Sequence, residues 1–182
     1  MNLIEKQIKS DYIFKGKIIN LRKDTVELPN GKTAYREIVE HNGGVCIAPL
    51  TKDGELIFVK QYRCPYDKVL LELPAGKRET TDTDTLKAAT RELKEETGAV
   101  AGKIIPLGEI YPTPAYCGEI IYLYLGTDLT YTEQKLDDDE FLSLCKIPLN
   151  SAVDMVMNGE IKDSKTQIAV LKIKQLKDNG KI

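Results

Sequence analysis

GKRETTDTDTLKAATRELKEETGA, residues 76–99, ends in the run Arg91-Glu92-Leu93-Lys94-Glu95-Glu96-Thr97-Gly98, and the rest of the chain is organised around it. The spacing predicts a helix. It starts near residues 82–85, where Asp and Thr are good caps, and stops at Gly98. Residues three and four apart share a helix face, so Glu92, Glu95 and Glu96 project together beside an apolar stripe of Leu86, Ala89 and Leu93. Carboxylates at that spacing repel one another by roughly a few tenths of a kcal/mol per pair. A divalent cation relieves the repulsion. Hard ions such as Mg²⁺ take carboxylate oxygens, keep several waters and suit chemistry on phosphates. The plainer account of a Glu-rich helix is a solvated, salt-laced surface.

Composition narrows the classes. The chain has 182 residues and a mass of 20.4 kDa, enough for one cored domain with a small appendage. Net charge is −2 and no basic block occurs, which argues against nucleic acid as a partner. No apolar run reaches the ~18 residues of a membrane span, and MNLIEKQIKSDY does not read as a signal peptide. Cys46, Cys64, Cys117 and Cys145 show no paired spacing and read as buried thiols of a reducing, cytoplasmic compartment. The one histidine, His41, reads as a turn or packing residue. A multi-His zinc site is excluded, so hydrolysis would rest on carboxylates and a metal.

Outward from the central stretch, residues 1–41 form an antiparallel unit, with Asn30-Gly31 as a hairpin turn between β-type runs. Residues 45–48 and 56–59 are near-continuous apolar runs, expected as strands buried on both faces. The second run leads to Gln61-Tyr62-Arg63, where Arg63 is placed for a planar grip on phosphate. Glu72 is an acid on an apolar strand over 68–73 and needs a partner, Arg91 or a substrate group. Strands follow at 103–111 and 119–125, separated by the proline-stiffened loop 112–119. In that loop's neighbourhood Tyr111 and Tyr116 can stack on a base or simply pack. The acid run 137–140 is either a solvated loop or an overhang above the helix carboxylates. Glu140 and Asp138 fall on one side of an extended segment there. Two helices close the chain, the first ending at Asn158-Gly159 and the second beginning near Ser164.

The central stretch resembles the signature of the Nudix hydrolases: Gly, five residues, Glu, seven residues, Arg-Glu, an aliphatic residue, any residue, Glu-Glu, any residue, Gly, an aliphatic residue. Gly76, Arg91, Glu92, Leu93, Glu95, Glu96, Gly98 and Ala99 match. Asp82 stands at the first Glu, with one extra residue before Arg91, and Asp84 is the alternative acid. The surrounding features, Gln61-Tyr62-Arg63, Pro114 sixteen residues after Gly98, and the segment 159–166, resemble the ADP-ribose pyrophosphatase branch.

That resemblance implies an α/β (α+β) Nudix fold: a mixed β-sheet sandwiched between helices, with an N-terminal antiparallel β subdomain. It implies a division into a dimerisation or swap element, 1–41, and a hydrolase domain, 42–182. Mg²⁺ or Mn²⁺ would be held by the Ala75 carbonyl, Glu92, Glu95 and Glu96. Glu140 and Asp138 would supply the catalytic acid, with Glu95 and Arg91 beside them, Arg91 orienting carboxylates. Arg36, Arg63, Glu72, Pro114 and Glu119 would meet substrate. The implied activity is hydrolysis of a nucleoside diphosphate sugar, foremost ADP-ribose to AMP and ribose 5-phosphate, by a cytoplasmic homodimer. A GDP-mannose-type pyrophosphatase, and an ADP-ribose-binding module with weak turnover, are the alternatives.

Overall fold

Strand β4, Gly44–Pro49, is buried at every position. Its side chains alternate between two apolar clusters, and this alternation fixes the layers of the second of two units. The computed structural model describes residues 2–79 and 84–182. Two compact units emerge, Met1–Gly43 with Tyr111–Ile120, and Gly44–Ile110 with Ile121–Ile182.

In the first unit, β1 (Lys6–Lys15), β2 (Ile19–Glu27) and β3 (Thr33–His41) form an antiparallel sheet in the order β1-β2-β3. The Asn-Gly turn forms as expected, with Gly31 at φ 77 and its N–H donating to the Leu28 carbonyl at 2.9 Å. The 111–120 loop joins this unit by backbone bonds: Val39 N–H to the Tyr116 carbonyl at 2.8 Å, and Gly118 N–H to the Val39 carbonyl at 2.9 Å. Every residue of β1 is exposed, among them Ile8, Tyr12, Ile13 and Phe14.

The second unit contains β5 (Glu55–Arg63), β6 (Lys68–Glu72), β7 (Ala75–Lys77), α1 (Thr85–Thr97), β8 (Ala99–Ile110), β9 (Ile121–Tyr131), β10 (Leu142–Pro148), α2 (Leu149–Met157) and α3 (Ser164–Asp178). Its strands make two sheets, a three-stranded antiparallel one ordered β10-β5-β6 and a mixed four-stranded one ordered β7-β4-β9-β8. β4 and β9 run parallel, Val45 beside Tyr122, Cys46 beside Leu123, Ile47 beside Tyr124 and Ala48 beside Leu125. Val45, Ile47 and Tyr124 pack with Ala88, Ala89 and Leu93 of α1. Cys46, Ala48, Leu123 and Leu125 face the opposite way, into a core shared with Leu56 and Phe58 of β5, Ala152 of α2, and Ala169, Val170 and Ile173 of α3. Two covered faces explain why these strands read as unbroken apolar runs.

Some details depart from expectation. The buried stripe of α1 is Ala88, Ala89 and Leu93, whereas Leu86 lies on the outer side, 42% exposed. Cys46 alone of the four free thiols is buried, and Cys64 is exposed, in the short turn after β5. No helix among the described residues is long and apolar enough to cross a membrane.

Candidate active site

Helix α1 begins at Asp84, whose carboxylate accepts the N–H of Leu86 at 2.9 Å and of Lys87 at 3.4 Å. Asp84 is thus the cap of the helix. Asp82, at the signature's first acid, lies outside the described residues. The helix ends at Gly98 in the left-handed region, φ 69, its N–H bonded to the Lys94 carbonyl at 2.8 Å. The following segment seals that end. Thr132 N–H donates to the Gly98 carbonyl at 2.7 Å, Lys135 N–H to the Glu95 carbonyl at 3.0 Å, and the Gln134 amide to the Glu96 carbonyl. The strap thereby carries the 137–140 turn, closed by Glu140 N–H on the Asp137 carbonyl at 3.0 Å, back over the helix.

A cleft forms between that turn, the helix and β7. It is lined by Ala75, Gly76, Lys77, Glu79, Arg91, Glu92, Glu95, Asp137 and Glu140. Carboxylates dominate the lining, and a phosphate approaching them bare would be repelled. Gly76 permits the closest approach. A Cβ there would overlap all three atoms of the Glu92 carboxyl group, so the Glu92 head lies directly against the β7 backbone. Arg91 straddles the acids, Nη2 on Glu92 Oε1 at 2.8 Å and Nη1 on Glu95 Oε2 at 2.9 Å.

Glu96 is the deepest of the three helix acids, 1% exposed. It does not share the solvated face of a surface helix: the helix turns Glu96 under β7, where its Oε2 accepts the Ala75 N–H at 3.1 Å. Burial pushes the Glu96 carboxyl up to about 9. The charge of Glu140, a hydrogen bond shared with it, and the charge of Glu92 add to this, against the opposing Ala75 N–H. Burial likewise lifts Glu92 to about 7; Arg91 opposes, and Glu95 and Glu140 reinforce. Among the described residues, no group of three or more His, Cys, Asp or Glu side chains is already drawn into a metal-holding cluster. The donor set nevertheless fits a hard divalent cation. The charges of Glu92 and Glu96 are disfavoured by each other or by the nearby Glu140, all three side chains offer oxygen, and a cation among them would remove that cost.

Arg63 and Glu72 are also brought together, in a way the sequence reading missed. Arg63 Nε and Nη2 each donate to the Glu72 carboxylate at 2.7 Å, a bidentate pair. The second partner of Glu72 is Lys165, not Arg91. Lys165 is buried at the start of α3 and also contacts Asp163 at 3.0 Å. Burial disfavours the charged form of Glu72, but the Arg63 hydrogen bonds and the Lys165 charge outweigh it and pull the carboxyl down to about 2. Arg63 thus spends its fork inside the protein.

Asp138 is exposed and does not line the cleft; Asp137 and Glu140 do. The run is a turn rather than an extended segment, so alternation does not carry the expected pairing of Asp138 with Glu140. Arg36, Pro114 and Glu119 belong to the first unit. There Arg36 pairs with Glu5, Nε to Oε2 at 3.0 Å. Pro114 is exposed on its loop, and Glu119 lies 3.3 Å from His41 Nδ1, which accepts the Gly43 N–H at 3.0 Å.

A carboxylate-lined cleft over a capped helix, on a mixed sheet with helices on both faces, defines a Nudix hydrolase: the chain belongs to the NUDIX family, whose domain model matches residues 40–167. The model of the nucleoside diphosphate sugar hydrolase N-terminal domain matches residues 5–39. The chain is 40% identical to an ADP-ribose pyrophosphatase of Bacillus subtilis, covering 93% of this chain and 92% of that protein. It is 42% identical to a methanol dehydrogenase activator of Bacillus methanolicus, covering 91% and 90%. A GDP-mannose pyrophosphatase of Yersinia pestis is 30% identical, covering 72% and 70%. The crystal structure of an ADP compounds hydrolase shares the fold with a TM-score of 0.86 over 100% of both chains at 21% identity.

Proposed function

We propose that this protein hydrolyses the diphosphate of a nucleoside diphosphate sugar, with ADP-ribose, cleaved to AMP and ribose 5-phosphate, as the preferred substrate. The observation that carries the reading is the crowding of Glu92, Glu95 and Glu140 along a cleft floored by the Ala75-Gly76 backbone, with Glu96 buried beside it. The greater likeness to an ADP-ribose pyrophosphatase than to a GDP-mannose pyrophosphatase, 40% against 30% identity, supports the choice of sugar.

Mg²⁺ or Mn²⁺ would be held by Glu92, Glu96, Glu95 and the Ala75 carbonyl. Bound there, such an ion would supply charge neutralisation at the phosphate oxygens and a lowered pKa for attacking water. Arg91 keeps Glu92 and Glu95 aimed into the cleft. Glu140, above the helix and sharing a proton-competent contact with Glu96, takes the proton of the attacking water. Arg63 offers the diphosphate the part of its guanidinium not engaged by Glu72, and Glu72 serves substrate through Arg63. Arg36, Pro114 and Glu119 serve nucleoside or ribose binding. The exposed apolar side chains of β1 favour a homodimer in which residues 1–41 cover a second subunit and residues 42–182 carry the catalysis. Free thiols and a modest net charge of −2 fit a cytoplasmic enzyme with no nucleic-acid partner.

A panel of nucleoside diphosphate sugars with Mg²⁺, read by product release, tests this. ADP-ribose is expected to give AMP and ribose 5-phosphate faster than GDP-mannose gives GMP. Faster GMP release reassigns the sugar. Tight ADP-ribose binding without turnover at any metal concentration overturns the reading in favour of a binding module.

A further inference from the structure

We propose that Thr166 and Lys165, at the start of α3, are positioning residues for the metal-binding floor of the cleft. The inference rests on the site reading above and extends it to a helix that lines no part of the cleft.

The floor, Ala75-Gly76, is reached from β6 by the short connector Glu72-Leu73-Pro74-Ala75. Its ends lie in the ladders, Glu72 opposite Val59 and Ala75 opposite Cys46, and the remaining polar groups between them need partners elsewhere. The Leu73 N–H donates to Thr166 Oγ1 at 2.8 Å, with both residues fully buried. Proline has no N–H, and the Pro74 carbonyl accepts the Ile47 N–H at 2.9 Å. The Ala75 N–H goes to Glu96 Oε2 at 3.1 Å. Glu72, at the connector's start, is gripped by Lys165. The connector is therefore held by strands β4 and β5 and, through side chains, by two helices. α1 holds its far end through Glu96, itself a proposed ion ligand, and α3 holds its near end through Thr166 and Lys165.

Lys165 breaks a local rule. It sits in the first turn of α3, where the helix dipole favours acids, and it is 8% exposed. A cation there costs helix stability and desolvation, so its presence points to Glu72 rather than to the helix itself. Asp163 offsets part of that cost, accepting both Lys165 at 3.0 Å and the Thr166 N–H at 3.0 Å. The same carboxylate thus fixes the two residues that hold the connector. Groups that orient a ligand from behind, when removed, typically cost about 10–100-fold in metal affinity or activity.

The test compares the parent with Thr166→Val, Thr166→Ser and Lys165→Met as full-length chains. Val keeps the shape and removes the acceptor; Ser keeps the acceptor. Mn²⁺ binding is measured by electron paramagnetic resonance without substrate, beside thermal unfolding and kcat and KM on ADP-ribose. Thr166→Val is expected to weaken Mn²⁺ binding by about tenfold and to lower kcat with little change in KM, and Thr166→Ser to stay near the parent. Lys165→Met, which leaves Glu72 paired with Arg63, is expected to fold and to weaken Mn²⁺ binding as well. Unchanged Mn²⁺ affinity in a folded Thr166→Val, whatever its melting temperature, overturns the proposal. If Thr166→Val does not fold, parental affinity in Lys165→Met overturns it. A parent that binds no Mn²⁺ removes the site reading and this inference together, a result separable from equal binding by parent and variants.

Discussion

Replacing Gly76 by Ala separates function from folding more cleanly than any other single change at the cleft. The new Cβ would fall inside the Glu92 carboxyl group. Ordinary carbon contacts are about 3.5–4.0 Å, so the carboxyl must retreat by more than about 1 Å. The obstacle is the end of a flexible side chain, and Gly76 has no positive φ, so the backbone accommodates alanine without strain. Removing a glycine also narrows the unfolded ensemble, which favours the variant by about 0.4–1 kcal/mol. Catalysis has no such slack. Misplacing a catalytic group by about 1 Å costs on the order of 10²-fold, or about 2.7 kcal/mol of barrier. Gly76→Ala should therefore unfold within a few degrees of the parent while kcat/KM on ADP-ribose falls about a hundredfold. Progress curves of AMP release and a thermal melt, on the same preparation, check both halves. Parental turnover in a folded Gly76→Ala would refute the placement of Glu92 in the reaction.

Glu96→Gln should fold, because the amide oxygen still accepts the Ala75 N–H inside the core, and should lose about 10²–10³ in kcat; a variant as fast as the parent removes Glu96 from the ion-binding set. Glu140→Gln should cost a comparable factor and Asp138→Asn almost nothing, since Asp138 lies outside the cleft; the opposite ranking in steady-state assays would move the catalytic acid along the turn. Glu72 predicts a pH signature in stability. Its carboxyl is held at about 2 against an ordinary value of 4.5, so its contribution is whole above about 4.5 and is lost as pH falls through 2. The full effect is on the order of 3 kcal/mol. In guanidinium unfolding, the stability gap between parent and Glu72→Gln should be constant near pH 6 and narrower by pH 2.5; a gap indifferent to pH would mean that Glu72 is not held as an anion.

The helix, the hairpin, the two buried strands and the closing helix pair were legible because each rests on local chemistry: a periodic stripe, an Asn-Gly turn, unbroken apolar runs, and Gly at a helix end. The family signature made Glu92, Glu95 and Glu96 legible as a group, since one helix displays all three. What the sequence hid was depth. Nothing in the run Glu95-Glu96 says that the second goes under β7 while the first stays half exposed; that depends on where the Ala75 strand passes. The partnership of Glu72 with Lys165 was equally hidden, because it joins residues from distant parts of the chain. A Lys just after the Asp163 cap was the one available signal, as a cation at the wrong end of a helix. Asp138 was favoured by alternation, which fails once the segment turns.

The parallel pairing of β4 with β9 sets when the enzyme can come into being. Val45 and Ile47 must wait for Tyr122 and Tyr124, which follow α1 in the chain. Until then α1 packs on Val45 and Ile47 without Tyr124. Closing so distant a contact is slow. A chain truncated before β9 should therefore expose the α1 helix to proteases, and catalytic competence should arrive late and all at once.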